Sequence, residues 1–339
     1  METVVSVVIP CKNEILYIEE CIRAIFKSEL SEGTRLNVFV VDGMSEDGTQ
    51  DKVKELITEF PNLNLLDNEM EITPHGFNIG VKAANFDYLQ RVDARHIIST
   101  NYIQTCIEYI ENDKSIWCAG GRLENSYVNN TAKIIAEAMS TSFGMGIGNF
   151  RTLQKTGFTD TVTSPMYPKF VFEKIGYFDE RLIRNQDDDF NYRVQKAGGK
   201  ILFIHEIFLK YYVRASLKNL RRQFYQYGYW KVFVNKKHKS ITTLRQLAPM
   251  FFVLFLFLTP VTLLIPKLFL YVFMPILMLY ILLVFIFGSR LLKKSKNVLT
   301  SLFVYPTMHI TYGLGYLSGI IDFILLNKTP SDKQKRLSR

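Results

Sequence analysis

The stretch Val4-Val5-Ser6-Val7-Val8-Ile9-Pro10-Cys11-Lys12-Asn13-Glu14 decides the fold. Val4–Ile9 is a β-branched run of strand length, Pro10 closes it, and Glu14–Lys27 carries apolar residues at helical spacing. The unit then repeats. Asn37–Val41 reads as strand, Gly48–Phe60 as helix, Asn62–Asp67 as strand, Pro74–Ala84 as helix and Tyr88–Val92 as strand. Such alternation predicts βαβ units wound into a Rossmann-like, mainly parallel α/β sheet. In open α/β sheets ligands bind outside the carboxyl ends of the strands, here Pro10–Glu14, Asp42–Thr49 and Asp93–His96.

Further along, the spacing predicts a helix near Ile103–Glu111, a strand near Trp117–Gly120, helical structure over residues 166–182, and a helix at Asp187–Ala197 with an acidic start. The glycine-rich run Phe143-Gly-Met-Gly-Ile-Gly-Asn-Phe150 follows a helix-like segment, whereas a phosphate-cradling loop joins a strand to a helix. It is expected to be a flexible loop around an acceptor or a plain connector.

The net charge of +9 is unevenly spread. Residues 1–210 carry 22 Lys/Arg against 30 Asp/Glu, residues 211–245 carry 9 against none, and residues 246–339 carry 10 against 2. A basic region suits nucleic acid or lipid headgroups. Its neighbours decide between them: Leu247–Ile265 and Leu268–Gly288 hold no charge and are each long enough to cross a hydrocarbon core of about 30 Å. The interleaved aromatic and basic residues of Tyr211–Arg245 therefore read as helices in a membrane interface, and nucleic acid is not expected as a partner.

The four cysteines, Cys11, Cys21, Cys106 and Cys118, form no metal-binding spacing and read as reduced thiols of a cytosolic domain. No signal peptide is recognisable at the start of the chain. Two spans then return the chain to the cytoplasm at Arg290, Lys293, Lys294 and Lys296, as positive charge prefers. The third apolar stretch, 298–326, contains Pro306, His309 and Asp322, and a full crossing would strand Lys328, Lys333, Lys335, Arg336 and Arg339 outside. It is expected to be a re-entrant or interfacial hairpin rather than a third span, with Gly315-x-x-x-Gly319 able to bring helices close. The layout expected is a catalytic domain over 1–210, interfacial helices over 211–245, a membrane hairpin over 246–290, the segment 298–326 and a basic tail over 327–339.

Four acidic clusters fall at the sites of chemistry. Ile9-Pro10-Cys11-Lys12-Asn13-Glu14 runs from strand into turn. In Val41-Asp42-Gly43-Met44-Ser45-Glu46-Asp47-Gly48-Thr49, a helix cap needs only Ser45 or Asp47, which leaves Asp42 for a base N–H or ribose hydroxyls. Arg91-Val92-Asp93-Ala94-Arg95-His96 offers a carboxylate to a divalent cation on a diphosphate, since Mg²⁺ and Mn²⁺ prefer oxygen ligands and phosphate. Asn185-Gln186-Asp187-Asp188-Asp189-Phe190 holds more carboxylates than a helix N-terminus needs, leaving one as a general base.

Taken in order, these pieces, with Phe77-Asn-Ile-Gly-Val-Lys82 and Ile175-Gly-Tyr-Phe-Asp-Glu-Arg-Leu182, resemble the family 2 glycosyltransferases of GT-A fold. The resemblance is strongest to membrane-associated members that build exopolysaccharide on lipid carriers, and runs over roughly residues 5–235. It implies a GT-A domain followed by C-terminal α-helical membrane segments. Pro10, Asn13, Glu14, Asp42, Ser45, Asp47 and Lys82 would line the nucleotide site, and Asp93 would face an Mg²⁺ or Mn²⁺ ion and the diphosphate. Asp187, with Asp188 as the alternative, would deprotonate the acceptor hydroxyl, and Arg222, Gln223, Gln226 and Trp230 would lie on the acceptor or diphosphate side.

Three positions depart from the family pattern. The second carboxylate of D-x-D is Arg95, the Glu before the base is Gln186, and the processive Q-x-x-R-W is reduced to Gln226-Tyr-Gly-Tyr-Trp230. His96 and His205 are candidate ligands, with a structural role the alternative for each. The expected activity is inverting transfer of a single sugar from a nucleotide-sugar, expected to be a UDP-sugar, to a lipid-linked saccharide or polyprenyl phosphate. It would take place on the cytoplasmic face of the cell membrane, in cell-surface polysaccharide synthesis. A sugar-phosphate nucleotidyltransferase is disfavoured because Pro10–Glu14 is not a glycine-rich loop. A silent scaffold is the remaining alternative.

Overall fold

The computed structural model describes residues 2–127, 129–146, 150–213, 216–295 and 297–329. The first strands and helices follow in alternation: β1 (Thr3–Cys11), α1 (Ile18–Phe26), β2 (Thr34–Asp42), α2 (Thr49–Glu59), β3 (Leu63–Asp67), α3 (Thr73–Ala83), β4 (Tyr88–Arg91), β5 (His96–Ile98), α4 (Tyr102–Asn112) and β6 (Ile116–Ser126). Next come α5 (Asn130–Met139), α6 (Ser142–Met145), β7 (Gly157–Thr159), β8 (Met166–Pro168), α7 (Lys169–Ile175), α8 (Gln186–Lys196) and β9 (Lys200–Tyr212). The remainder is helical: α9 (Leu217–His238), α10 (Ala248–Thr262), α11 (Pro266–Leu268), α12 (Met274–Ser295) and α13 (Val298–Gly319).

The chain divides into two compact units, one of residues 1–125 and 148–212, the other of residues 126–147 and 213–339. The first unit is built on a mixed sheet of order β3-β2-β1-β4-β8-β6-β9-β5, with β7 beside β9. β1 pairs in parallel with β2 and β4, β2 pairs in parallel with β3, and β4 meets β8 antiparallel. Strand alternation explains why both faces are apolar. Val5, Val7 and Ile9 pack with Ile18, Ile22, Val53 and Ile103 on one side, while Val8 packs with Phe77, Val81, Phe172 and Phe190 on the other. All four cysteines are buried free thiols.

The strand order reverses at β1, which has β2 on one side and β4 on the other. The β1–β4 ladder ends at Val8 and Arg91, so Pro10 lies beyond it, where its missing N–H costs β4 no bond. The switch-point rule directs attention to the carboxyl ends of β1 and β4, and the cavity found near them lies just beyond β4, between the residues leading into β8 and the first turns of α8.

Two expectations are corrected in this unit. Residues 166–182 are not one helix: Met166–Pro168 is a strand beside β4, and only Lys169–Ile175 is helical before Gly176 takes φ 76°. The long strand β9 was not anticipated. It is buried on every residue from Ile201 to Ile204, and the continuous apolar run hides the alternation that marks a strand.

In the second unit, Leu244–Thr262, Pro266–Lys293 and Val298–Leu325 are three helical stretches long and apolar enough to cross a membrane. The second presents Leu270, Tyr271, Leu282 and Phe285 outward, an apolar surface that water does not favour. The third is not a hairpin. α13 continues through π-helical turns at Ile320–Leu325 with no reversal, and Pro306 is accommodated inside it. It packs on α9 through glycines: a Cβ on Gly315 would meet the Tyr225 carbonyl oxygen at 2.0 Å, and one on Gly228 would meet that of Tyr312 at 2.1 Å. The small-residue spacing thus brings two backbones together as expected.

Of the glycine-rich run, Ile147, Gly148 and Asn149 lie outside the described residues. Its first part is the one-turn α6, whose Phe143 stacks on Phe287 and meets His309 edge-on. Among the tail cations, Lys333, Lys335, Arg336 and Arg339 also lie outside them, as does Lys296.

Candidate active site

The loops after β1 and β2 are buckled together. The Asn13 backbone N–H donates to Ser45 Oγ at 2.7 Å and the Glu46 N–H to Asn13 Oδ1 at 2.9 Å. The Ile15 N–H donates to Asp47 Oδ2 at 3.1 Å, and the Glu14 N–H to Thr49 Oγ1 at 2.9 Å. Asp42 is fully buried at the centre. It accepts from the Ser45 N–H at 2.7 Å, Ser45 Oγ at 2.6 Å and Gln50 Nε2 at 2.8 Å. Five of the expected nucleotide-side residues, Asn13, Glu14, Asp42, Ser45 and Asp47, are therefore tied into one loop pair, with Pro10 at its base.

Lys82 is set apart. A helix joining the carboxyl end of β3 to the amino end of β4 must run back across the sheet, so its last turn lies at the opposite edge. There Lys82 is exposed and its ammonium sits 5.4 Å from the Tyr177 ring.

The cleft itself brings Asp93, just beyond β4, together with Asp187 in the first turn of α8. Arg91, Ser164, Tyr167 and Asn191 line it as well. Arg91 donates from Nη2 to Asp93 Oδ1 at 2.8 Å. Burial alone would raise the Asp93 carboxyl, but Arg91, His96 and Arg184 outweigh it and hold Asp93 below the usual carboxylate range. Asp187 is pushed the other way: burial and the neighbouring Asp188 charge raise it against the opposing pull of Arg91. One cleft thus holds a firmly ionised carboxylate and one with raised proton affinity, the separation that acid–base chemistry uses.

The three consecutive aspartates have different jobs. Asp189 is fully buried and paired with Arg193 Nη2 at 3.0 Å, and that arginine also donates to the Tyr177 carbonyl. Asp188 accepts from Asn185 Nδ2 at 2.9 Å, while its own N–H donates to Asp187 Oδ1 at 3.0 Å. Asn78, buried in α3, bonds both the N–H and the C=O of Phe178 and thereby fixes the segment leading into α8. Asn13, Met44, Ser164 and Asn185 hold positive φ, the kind of local strain that gathers at functional sites.

Arg95 does not line the cleft. It turns to Glu14, donating from Nε at 2.7 Å, with its guanidinium 4.9 Å from the Tyr17 ring. His96 is buried beside Ser164, whose Oγ is 2.8 Å from Nδ1. Burial, with Arg91 and Arg151, brings it down to about 4 despite the pull of Asp93, so it is neutral at pH 7. His205 lies on β9, where its N–H donates to Thr156 Oγ1, and it is not among the cleft residues. Gln186 is buried in the first turn of α8.

Arg222, Gln223, Gln226 and Trp230 all sit on α9 in the helical unit. Arg222 is exposed, Gln223 donates to Tyr227 Oη at 2.7 Å, and Trp230 is fully buried against Tyr229, Phe233 and Phe323. The cleft side chains that the sequence left without a role include Arg91, Ser164, Tyr167 and Asn191. Arg91 stood within the quoted R-V-D-A-R, and Asn191 follows Asp187 by four, the spacing that shares a helix face.

A mixed α/β sheet with a cleft that holds one carboxylate just beyond a strand and one at a helix start is the architecture of a GT-A glycosyltransferase, and the chain belongs to glycosyl transferase family 2, whose profile matches residues 6–176. Among curated proteins it is 29% identical over 248 residues to the succinoglycan biosynthesis protein ExoA of Rhizobium meliloti, covering 72% of this chain and 74% of that one. It is 28% identical over 330 residues to the dolichyl N-acetyl-alpha-D-glucosaminyl phosphate 3-beta-D-2,3-diacetamido-2,3-dideoxy-beta-D-glucuronosyltransferase of Methanococcus voltae, covering 94% and 97%. Among solved structures, the fold is similar to the mannosyltransferase PcManGT of Pyrobaculum calidifontis in complex with GDP-Man and Mn²⁺, with a TM-score of 0.50 and 17% identity. That likeness covers 69% of this chain and 63% of the other.

Proposed function

We propose that this glycosyltransferase moves a single sugar, with inversion, from a nucleotide-sugar to a lipid-linked saccharide or polyprenyl phosphate at the cytoplasmic face of a membrane. The observation that carries the reading is the shared cleft of Asp93 and Asp187. Asp187 would take the proton from the acceptor hydroxyl. The oxygen lone pair then forms the new bond to the anomeric carbon on the face opposite the leaving group. The bond from that carbon to the diphosphate breaks, its electron pair passing to the β-phosphate oxygen. One base suffices for this displacement.

A divalent cation fits the cleft through Asp93. Among the described residues no three His, Cys, Asp or Glu side chains converge on a metal position, and Asp93 is the half-exposed oxygen donor on the diphosphate side. Mg²⁺ and Mn²⁺ bind through one or two carboxylates plus substrate phosphates. Asp93 would hold such an ion together with the diphosphate, and the ion would supply charge to the leaving group. The Mn²⁺ in the structure of the mannosyltransferase accords with this.

The acceptor class rests on the relatives. One is named for transfer to a dolichyl-phosphate-linked N-acetylglucosamine and another for succinoglycan synthesis. The three long apolar helices suit a lipid substrate, and we propose a UDP-sugar as the donor. The test is direct. Purified full-length protein in detergent, given a panel of UDP- and GDP-sugars, a polyprenyl-phosphate sugar and Mn²⁺, should yield a lipid product heavier by one sugar. Absence of transfer and of donor hydrolysis across the panel would leave the fold without this activity.

A further inference from the structure

Arg91 is the feature of the cleft that the transfer chemistry above leaves unused. Its side chain is 11% exposed, and its Nη2 is spent on Asp93. Its Nε is buried with no hydrogen-bond partner. The guanidinium rests 5.8 Å from the Phe178 ring, against the segment that Asn78 fixes. An unpaired guanidinium N–H in a protein interior is costly, and Arg is the side chain best shaped to grip phosphate through two parallel N–H groups.

Charge points the same way. Where the family pattern would give two carboxylates after β4, this chain has Asp93 alone, with Arg95 turned away to Glu14. A diphosphate entering the cleft meets one carboxylate and one guanidinium, not two carboxylates.

We infer that Arg91 is a direct ligand of the donor's diphosphate, parked on Asp93 until the nucleotide arrives and then turned onto a phosphate oxygen. The inference rests on the diphosphate lying at this cleft, as proposed above. It makes nucleotide binding partly independent of divalent cation, and it makes Asp93 a competitor for Arg91 when no cation is present. The ligand chemistry is the diphosphate, whatever base it carries.

The test is calorimetric titration of the full-length protein in detergent with UDP, GDP and inorganic pyrophosphate, with excess EDTA and with Mn²⁺. In EDTA, Arg91→Met should weaken binding by about tenfold, with Arg91→Lys between the two, since a charge-assisted hydrogen bond is lost. Asp93→Asn should tighten binding in EDTA, because it releases Arg91, and should weaken binding in Mn²⁺. In the Arg91→Met background the Asp93→Asn gain should shrink to what removing the carboxylate charge alone gives. A gain in the Arg91→Met background as large as in the wild-type background overturns the inference. So does the absence of metal-free binding in both the wild type and Asp93→Asn. Where Arg91→Met folds poorly, the same comparison is made in the Arg91→Lys background. If Asp93→Asn leaves binding in Mn²⁺ unchanged, the placement of the diphosphate itself fails, a result separate from any change at Arg91.

Discussion

Arg95 Nε lies 2.7 Å from Glu14 Oε2, so the residue standing where a second metal-side carboxylate was expected instead ties the segment after β4 to the loop after β1. The pair is partly screened, with Arg95 37% and Glu14 18% exposed, and its worth is about 0.5–1 kcal/mol. Arg95→Ala should raise the donor KM by about threefold and leave kcat nearly unchanged, because it loosens the loop expected to hold the nucleotide and touches no reacting atom of the proposed transfer. A fall in kcat with KM unaltered would move Arg95 into the chemical step.

The proton affinity of Asp187 gives the reaction a pH signature. Burial and Asp188 raise it, and with Asp187 as the proposed base, activity should decline as pH falls through that raised value. Asp188→Asn removes a repelling charge and should shift the acid limb of kcat/KM toward lower pH. A limb that stays in place in that variant would show that Asp188 does not act on the base.

Asp189 should behave as a structural residue. It is fully buried and paired with Arg193, so Asp189→Asn leaves a guanidinium without its counter-ion. A loss of stability on the order of 2 kcal/mol is expected in thermal unfolding, with the donor KM of the remaining folded enzyme unchanged.

The α9–α13 packing should be intolerant of a single methyl group. Gly315→Ala sets a Cβ against the Tyr225 carbonyl and should cost on the order of 2 kcal/mol, whereas Leu325→Ala, at a 70% exposed side chain, should be silent in detergent. Equal melting temperatures for the two variants would mean that the helices are not in this contact.

Much of the catalytic unit was legible because its signals are local. The β-branched run of β1, the turn residues after it and the acidic starts of loops and helices each announce themselves within a few residues, which is why Asp93 was expected just beyond a strand and Asp187 at a helix start, where they lie. What escaped depended on distance. β9 is buried along most of its first half, which erases alternation, and Met166–Pro168 is extended because β4 lies beside it. Arg95 reads as a substituted metal site until Glu14, 81 residues away in sequence, is seen to hold it. Trp230, expected on the acceptor or diphosphate side of an interfacial stretch, instead fills the core of the helical unit. The hairpin expected over 298–326 failed because charge arithmetic weighs the ends of a segment and says nothing of a helix continuing past Pro306.

The central claim is that Asp187 is the base of a single-sugar transfer. Its most direct measurement is turnover by Asp187→Asn beside the wild type, with product read by mass spectrometry and nucleotide binding by calorimetry. The expected result is a fall in kcat of about a thousandfold with nucleotide affinity retained. Wild-type turnover in Asp187→Asn would contradict it.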